Sequence, residues 1–179
     1  MKKFLIALLS SVIIISMLGA CTNSNSSEKP EQVDKKSPDK AEKTQMYVMD
    51  WKDTWKGLSS EIKHVTVVKN GKVKGKDIDV VGLKLDLVNK TEKDFTIGLG
   101  KAKLIVDGKV YKLSKENSRN IGEKFPKKNK KNVLLVYQLP KKEAPKKYNK
   151  ITLKWDVKKA GVTDKKVYKP TLELTKTAE

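Results

Sequence analysis

Forty basic side chains against 21 acidic ones give this 179-residue chain a formal charge of +19, and it carries one cysteine and one histidine. The lone cysteine excludes an intrachain disulfide, a redox pair and a thiolate metal site, and the lone histidine excludes a histidine cluster. The length suits one domain behind an N-terminal leader and not comfortably two, so any folded part must stand on packing.

Lys2 and Lys3 open the chain, an apolar run follows from Phe4 to Met17, and Leu18-Gly19-Ala20 leads into Cys21. A basic start, an apolar middle and a small-residue approach read as a secretory signal over residues 1–20. At about fourteen residues the apolar run falls short of the roughly twenty that cross a bilayer core. Leu18-Gly19-Ala20-Cys21 resembles the lipobox of bacterial lipoproteins, in which the cysteine is diacylated and the leader is cut immediately before it. That resemblance implies a diacylglyceryl anchor on Cys21 and residence on the outer, extracellular face of the cell membrane. Two acyl chains hold stably where one gives only marginal binding.

From Thr22 to Thr44 the sequence reads TNSNSSEKPEQVDKKSPDKAEKT, with Val33 and Ala41 as its only appreciable apolar side chains. Such a stretch buries too little to order itself, so residues 21–45 are expected to be a lipidated cysteine and a flexible spacer. The folded domain is expected over residues 46–179.

Asp50 could cap a short helix carrying Trp51, Trp55 and Leu58 at helical spacing. Beyond it the pattern has a two-residue period, the mark of half-buried strands. Ile62, His64, Val65, Val67 and Val68 predict a strand closed by a turn at Asn70-Gly71. The run IDVVGLKLDLV sets Val81, Leu83, Leu85 and Leu87 on one face, with Lys84 and Asp86 on the other. Phe95, Ile97 and Leu99 alternate next, and KAKLIVDGKVYKL predicts a hairpin at Asp107-Gly108. After a polar excursion from Ser114 to Lys131, NVLLVYQL and KITLKWDV predict two more strands, with Ile151, Leu153, Trp155 and Val157 inward. A last segment, Val167 to Leu174, belongs at an edge because Pro170 forbids a central place. Seven or so strands, turn signals about every ten residues and no long helical period predict an all-β fold, an antiparallel immunoglobulin-like sandwich.

The order LKLDLVNKTEKDFTI, LIVDGKVYKL and FPKKNKKNVLLVYQLP resembles the immunoglobulin-like domain of many Gram-positive surface lipoproteins, related to a small secreted mycobacterial immunoprotective antigen. The matching elements are Val88-Asn89, the hairpin Asp107-Gly108-Lys109-Val110-Tyr111, and the stretch from Phe125-Pro126 through Leu139-Pro140. The resemblance spans roughly residues 60–157 and implies an extracellular sandwich whose biochemical role is, for most members, unassigned. The chain departs from the family by placing lysine where glycine is common in the turn before the later strand.

Catalytic chemistry finds little support. His64 sits in an alternating strand run, no serine or lysine is marked as a nucleophile–base pair, and the acidic residues lack calcium-loop spacing. Asp77 and Asp79 share a strand face and read as solvated edge charge. The expectation is a non-enzymatic module without cofactor or metal. Trp155 is expected in the core; Trp51 and Trp55 are expected to pack as a flap over one end of the sandwich, the exposed alternative being a platform for bases or sugars.

Charge is the remaining signal. From residue 101 onward there are 23 basic and 8 acidic residues, against 15 and 13 in residues 21–100. Two clusters stand out, Lys124, Lys127, Lys128, Lys130 and Lys131, then Lys141, Lys142, Lys146, Lys147 and Lys150. They flank the strand from Val133 to Leu139 and either occupy its opposite ends or meet through folded-back loops. Three readings stay open: a solvated face, attraction to anionic envelope material such as lipid headgroups or phosphate polymers, and weak binding of nucleic acid. Arg119 is the sole arginine, so sequence-specific base readout is not expected. A non-enzymatic binding or accessory role is expected, an envelope polymer or protein being the partner; accessory roles in DNA transfer or uptake, or in phage exclusion, are the alternative.

Overall fold

A computed structural model of the chain describes residues 43–175. The expectations for the leader, for Leu18, Gly19, Ala20 and Cys21, and for most of the spacer lie outside the described residues.

Alternation is what builds the sheets. On β3 (Lys76–Asn89) Val81, Leu83, Leu85 and Leu87 are each nearly or fully excluded from solvent while Lys84 between them is exposed. β3 lies between β2 (Leu58–Val73) and β8 (Lys130–Pro140), and β1 (Lys43–Trp55) completes a four-stranded antiparallel sheet in the order β1-β2-β3-β8.

The second sheet centres on β9 (Lys150–Lys159), whose Ile151, Leu153, Trp155 and Val157 all point into the core. One edge of β9 carries β4 (Phe95–Ile97) and β5 (Lys103–Val106), separated by a single 3-10 turn at Leu99–Lys101. Its other edge carries β10 (Lys165–Tyr168) and β11 (Thr171–Glu173), separated by Pro170. β7 (Lys124–Phe125) pairs with β4, and β6 (Lys109–Lys112) pairs with β5 through the turn at Asp107 and Gly108, whose φ values are 48° and 76°. The short segments therefore fall into four rows, and two four-row layers enclose one core: the fold is an antiparallel β-sandwich. Because side chains from both inner faces interdigitate, burial here supplies most of the stabilising free energy.

Two expectations need correction. No helix forms at Asp50: residues 43–55 are strand β1. In a strand residues four apart share a face just as they do on a helix, so the Trp51–Trp55 spacing fitted both. Tyr47, Met49, Trp51 and Trp55 lie on the more buried side of β1, and the register shift between Val48 and Trp51 leaves that alternation intact. Trp51 then meets Trp155 and Tyr168 edge-on at 5.7 and 5.8 Å, and Trp55 meets Phe95 at 6.3 Å, so both tryptophans cover the core rather than stand free.

Nor does Asn70-Gly71 turn the chain. β2 continues to Val73, with Asn70 held at φ 59° inside a bulge between Val68 and Gly71, and the turn is made by Lys74 and Gly75 at φ 51° and 75°. Asparagine tolerates the left-handed region almost as a bulge residue must, which is why the dipeptide mimicked a hairpin turn. The first strand also begins at Lys43, ahead of Met46.

At the turn before β8, Lys128 adopts φ 51°, the left-handed conformation that glycine takes without strain. This chain fills that geometry with a lysine.

Candidate functional site

The strand β8 separates the two lysine clusters. Lys124, Lys127, Lys128, Lys130 and Lys131 lie at or before its start, and Lys141, Lys142, Lys146, Lys147 and Lys150 follow its end. The ten steps from Lys130 to Pro140, at about 3.4 Å each, put them roughly 34 Å apart, so the clusters occupy opposite ends of the sandwich and do not meet.

The end beyond Pro140 is the one at which the described chain begins. Lys43 opposes Lys69 on β2, and Ile78, next to the β2–β3 turn, opposes Pro140. The connection from β8 to β9 closes over this end, held by Tyr111 Oη donating to the Glu143 carbonyl at 2.7 Å and Lys69 Nζ donating to the Lys146 carbonyl at 2.6 Å. Lys69 also stands 5.4 Å from the centre of the Tyr148 ring. Lys74, Lys76, Lys142, Lys146 and Lys147 are exposed and form no ion pair among the described residues.

Under the same connection lies Asp79, fully excluded from solvent. Its Oδ1 accepts from Lys141 Nζ at 2.9 Å and from the Asn70 backbone N–H at 3.1 Å, and its Oδ2 accepts from Tyr148 Oη at 3.0 Å. This overturns the reading of Asp77 and Asp79 as a solvated pair: Asp77 is exposed, whereas Asp79 is the first position of the inward row that continues through Val81 and Leu83. A carboxylate in such a place is tolerable only when paired and hydrogen-bonded, and here three donors from two segments, the β8–β9 connection and the β2 bulge, satisfy it. Burial, and next the charge of Asp79, push the Tyr148 hydroxyl well above the usual tyrosine range, so it stays protonated and donates.

The opposite end has its own buried polar residue, Asn89, at the last position of the same row. Its side-chain amide donates to the carbonyls of Lys93 and Pro126 at 2.8 and 2.9 Å, and its oxygen accepts from the backbone and hydroxyl of Thr91, both at 2.9 Å. One side chain thereby fastens the β3–β4 loop to the turn that leads into β8. Here the lysines divide. Lys128 pairs with Glu92 at 2.9 Å and holds its carboxyl below the ordinary value through that hydrogen bond. Lys131 folds back onto the carbonyls of Gly122 and Lys124 and lies 5.4 Å from the Phe125 ring, with burial lowering its pKa. Lys124, Lys127 and Lys130 remain exposed without ion pairs among the described residues.

His64 is half-buried on the outer face of the first sheet, opposite Val48 and Lys84. No group of three metal-ligating side chains occurs among the described residues, and no helix among them is long and apolar enough to cross a membrane.

Sequence reasoning missed Asp79 and Asn89 as anchors. A signal was present: both share parity with Val81, Leu83, Leu85 and Leu87, which placed them at the two ends of the buried face.

No family model matches the chain, and no curated protein matches it. Among solved structures it is similar to a functionally unknown protein from Listeria monocytogenes EGD-e, at 15% identity and a TM-score of 0.51, over 64% of this chain and 76% of that one. It also matches a conserved hypothetical protein from Bacillus anthracis at 12% identity and a TM-score of 0.42, over 70% of this chain and 97% of that one. At such identities the likeness to the Listeria protein shows a shared fold and nothing further: an antiparallel β-sandwich.

Proposed function

We propose that the chain is a surface lipoprotein, anchored through Cys21 on the outer face of the cell membrane, whose sandwich binds anionic envelope material without performing catalysis. The observation that carries this reading is the set of exposed lysines without ion pairs at both ends of the domain, Lys124, Lys127 and Lys130 at one and Lys142, Lys146 and Lys147 at the other. A solvated face would be expected to intersperse such charges with acidic partners. Polybasic groups near an anionic surface gain about 1 kcal/mol each, so three lysines are enough for measurable attraction at low ionic strength. The lipobox-like Leu18-Gly19-Ala20-Cys21 supports the address, and the resemblance to Gram-positive lipoprotein domains agrees with it.

Two changes test the two halves of the proposal. Cys21→Ser leaves the chain uncut or releases it into the medium; normal membrane retention of that variant would refute the anchor. Converting the six lysines to Gln together abolishes retention on anionic vesicles of the chain made without lipid while leaving its Tm within a few degrees. Undiminished retention would remove electrostatics from the account.

A further inference from the structure

The two basic ends are not equivalent, because the chain reaches the sandwich at only one of them. β1 starts at Lys43, beside the β2–β3 turn and the β8–β9 connection. We infer that this end, carrying Lys74 and Lys76 on the turn and Lys142, Lys146 and Lys147 on the connection, docks on the anionic headgroups of the bilayer that holds the anchor. The inference rests on the proposed lipid anchor and assigns that anchor's membrane as the partner of one defined face.

Three observations converge. The first is reach: 21 residues lie between Cys21 and Lys43, and a flexible chain of that many residues has an r.m.s. span of about 25 Å, short enough to bring Lys43 and its neighbours to the headgroup plane. With that end down, the lysines before β8 stand roughly 34 Å farther out, beyond several screening lengths of about 8 Å. Headgroup charge therefore acts on one cluster alone.

The second is charge. Asp79 is taken up by Lys141 and Glu173 by Lys150, each at 2.9 Å. Asp77, Asp107 and Glu143 then stand against Lys43 and the five exposed lysines already named, with Lys69 and Lys109 contributing positive charge as they donate to carbonyls of the connection. Among the described residues the excess is positive, and it surrounds Lys43, where the described chain begins.

The third is the surface between the lysines. Val73, Ile78 and Pro140 floor a shallow cleft of about 300 Å³ bordered by Lys74, Lys76 and Gln138. An apolar floor ringed by long cationic side chains suits the headgroup region, where lysine stems lie along apolar surface and ammonium groups meet phosphate. The Asp79–Lys141–Tyr148 network beneath holds the connection rigid, so the lysines present one fixed face.

The test uses the lipidated mature chain in vesicles of phosphatidylcholine alone or with phosphatidylglycerol, with each lysine's rate of acylation read by mass spectrometry. On phosphatidylglycerol vesicles at low salt, Lys74, Lys76, Lys142, Lys146 and Lys147 label several-fold more slowly than on phosphatidylcholine, and Lys127 and Lys130 label equally on both. Salt at about 1 M, where screening acts within ~3 Å, erases the difference. Equal labelling of the five lysines on both vesicles overturns the inference, and slow labelling confined to Lys127 and Lys130 overturns it while leaving anionic binding intact. An N-terminal peptide without lipid on Cys21 would instead overturn the anchor reading beneath it.

Discussion

Replacing Asp79 by alanine lowers the stability of the sandwich by about 3 kcal/mol, read as a fall of roughly 10 °C in Tm. The carboxylate is the shared acceptor for Lys141 Nζ, Tyr148 Oη and the Asn70 backbone N–H, which come from the β8–β9 connection and from the bulge of β2. Removing it strands the buried Tyr148 hydroxyl and takes one acceptor from the Asn70 N–H, and an unpaired buried donor carries the full desolvation penalty. Tyr148→Phe removes one of the three bonds and is expected to reduce stability by about 1 kcal/mol. Asp77→Ala, on the same strand but exposed, stays within about 0.5 kcal/mol of the parent. Thermal denaturation of the three variants separates the outcomes, and a loss for Asp79→Ala no larger than that for Asp77→Ala would contradict the role assigned to the carboxylate.

Asn89→Ala has a comparable effect at the other end, about 2–3 kcal/mol, because four hydrogen bonds end on one buried amide. The loss is not spread evenly. Three of the bonds hold the β3–β4 loop in its own shape, and the bond to Pro126 ties that loop to the turn before β8. Amide hydrogen exchange is therefore expected to quicken first at Thr91, Lys93 and Lys128, ahead of the β3 interior. Unchanged exchange at those amides, with the same overall stability, would show that the loop and turn are held by something else. The four bonds supply a physical reason for an asparagine at this end of β3.

Much of the sandwich could be read from alternation alone. The inward faces of β3 and β9 and the hairpin at Asp107-Gly108 follow directly from period two and turn chemistry, and Pro170 marks the break between β10 and β11. Where the reading failed, one local pattern had two solutions. Trp51 and Trp55 satisfy helix and strand alike, and pairing with β2 decided between them. Asn70-Gly71 satisfies turn and bulge alike, and the decision came from Asp79, nine residues on, accepting the Asn70 N–H. The polar excursion from Ser114 to Lys131 hid a bridge at Arg119–Leu134 and the short β7, since neither carries a hydrophobic period.

For the candidate site, composition exposed the lysine clusters, yet their separation depended on β8 running straight between them. Which lysines remain without ion pairs was not legible, because Glu92, Asp79 and Glu173 reach their partners only through the tertiary fold. Asp79 is the plainest case: its neighbours Asp77 and Lys76 suggest a wet strand end, and only the covering loop turns it into a buried anchor.

Electrostatic attachment to the membrane shows itself in the salt dependence of binding. The mature chain, titrated with vesicles containing anionic lipid, is expected to lose affinity steeply as salt rises from about 0.05 to 0.2 M and to show little binding to neutral vesicles beyond what its acyl chains provide. An affinity for anionic vesicles that is independent of salt, or equal to that for neutral ones, would contradict it.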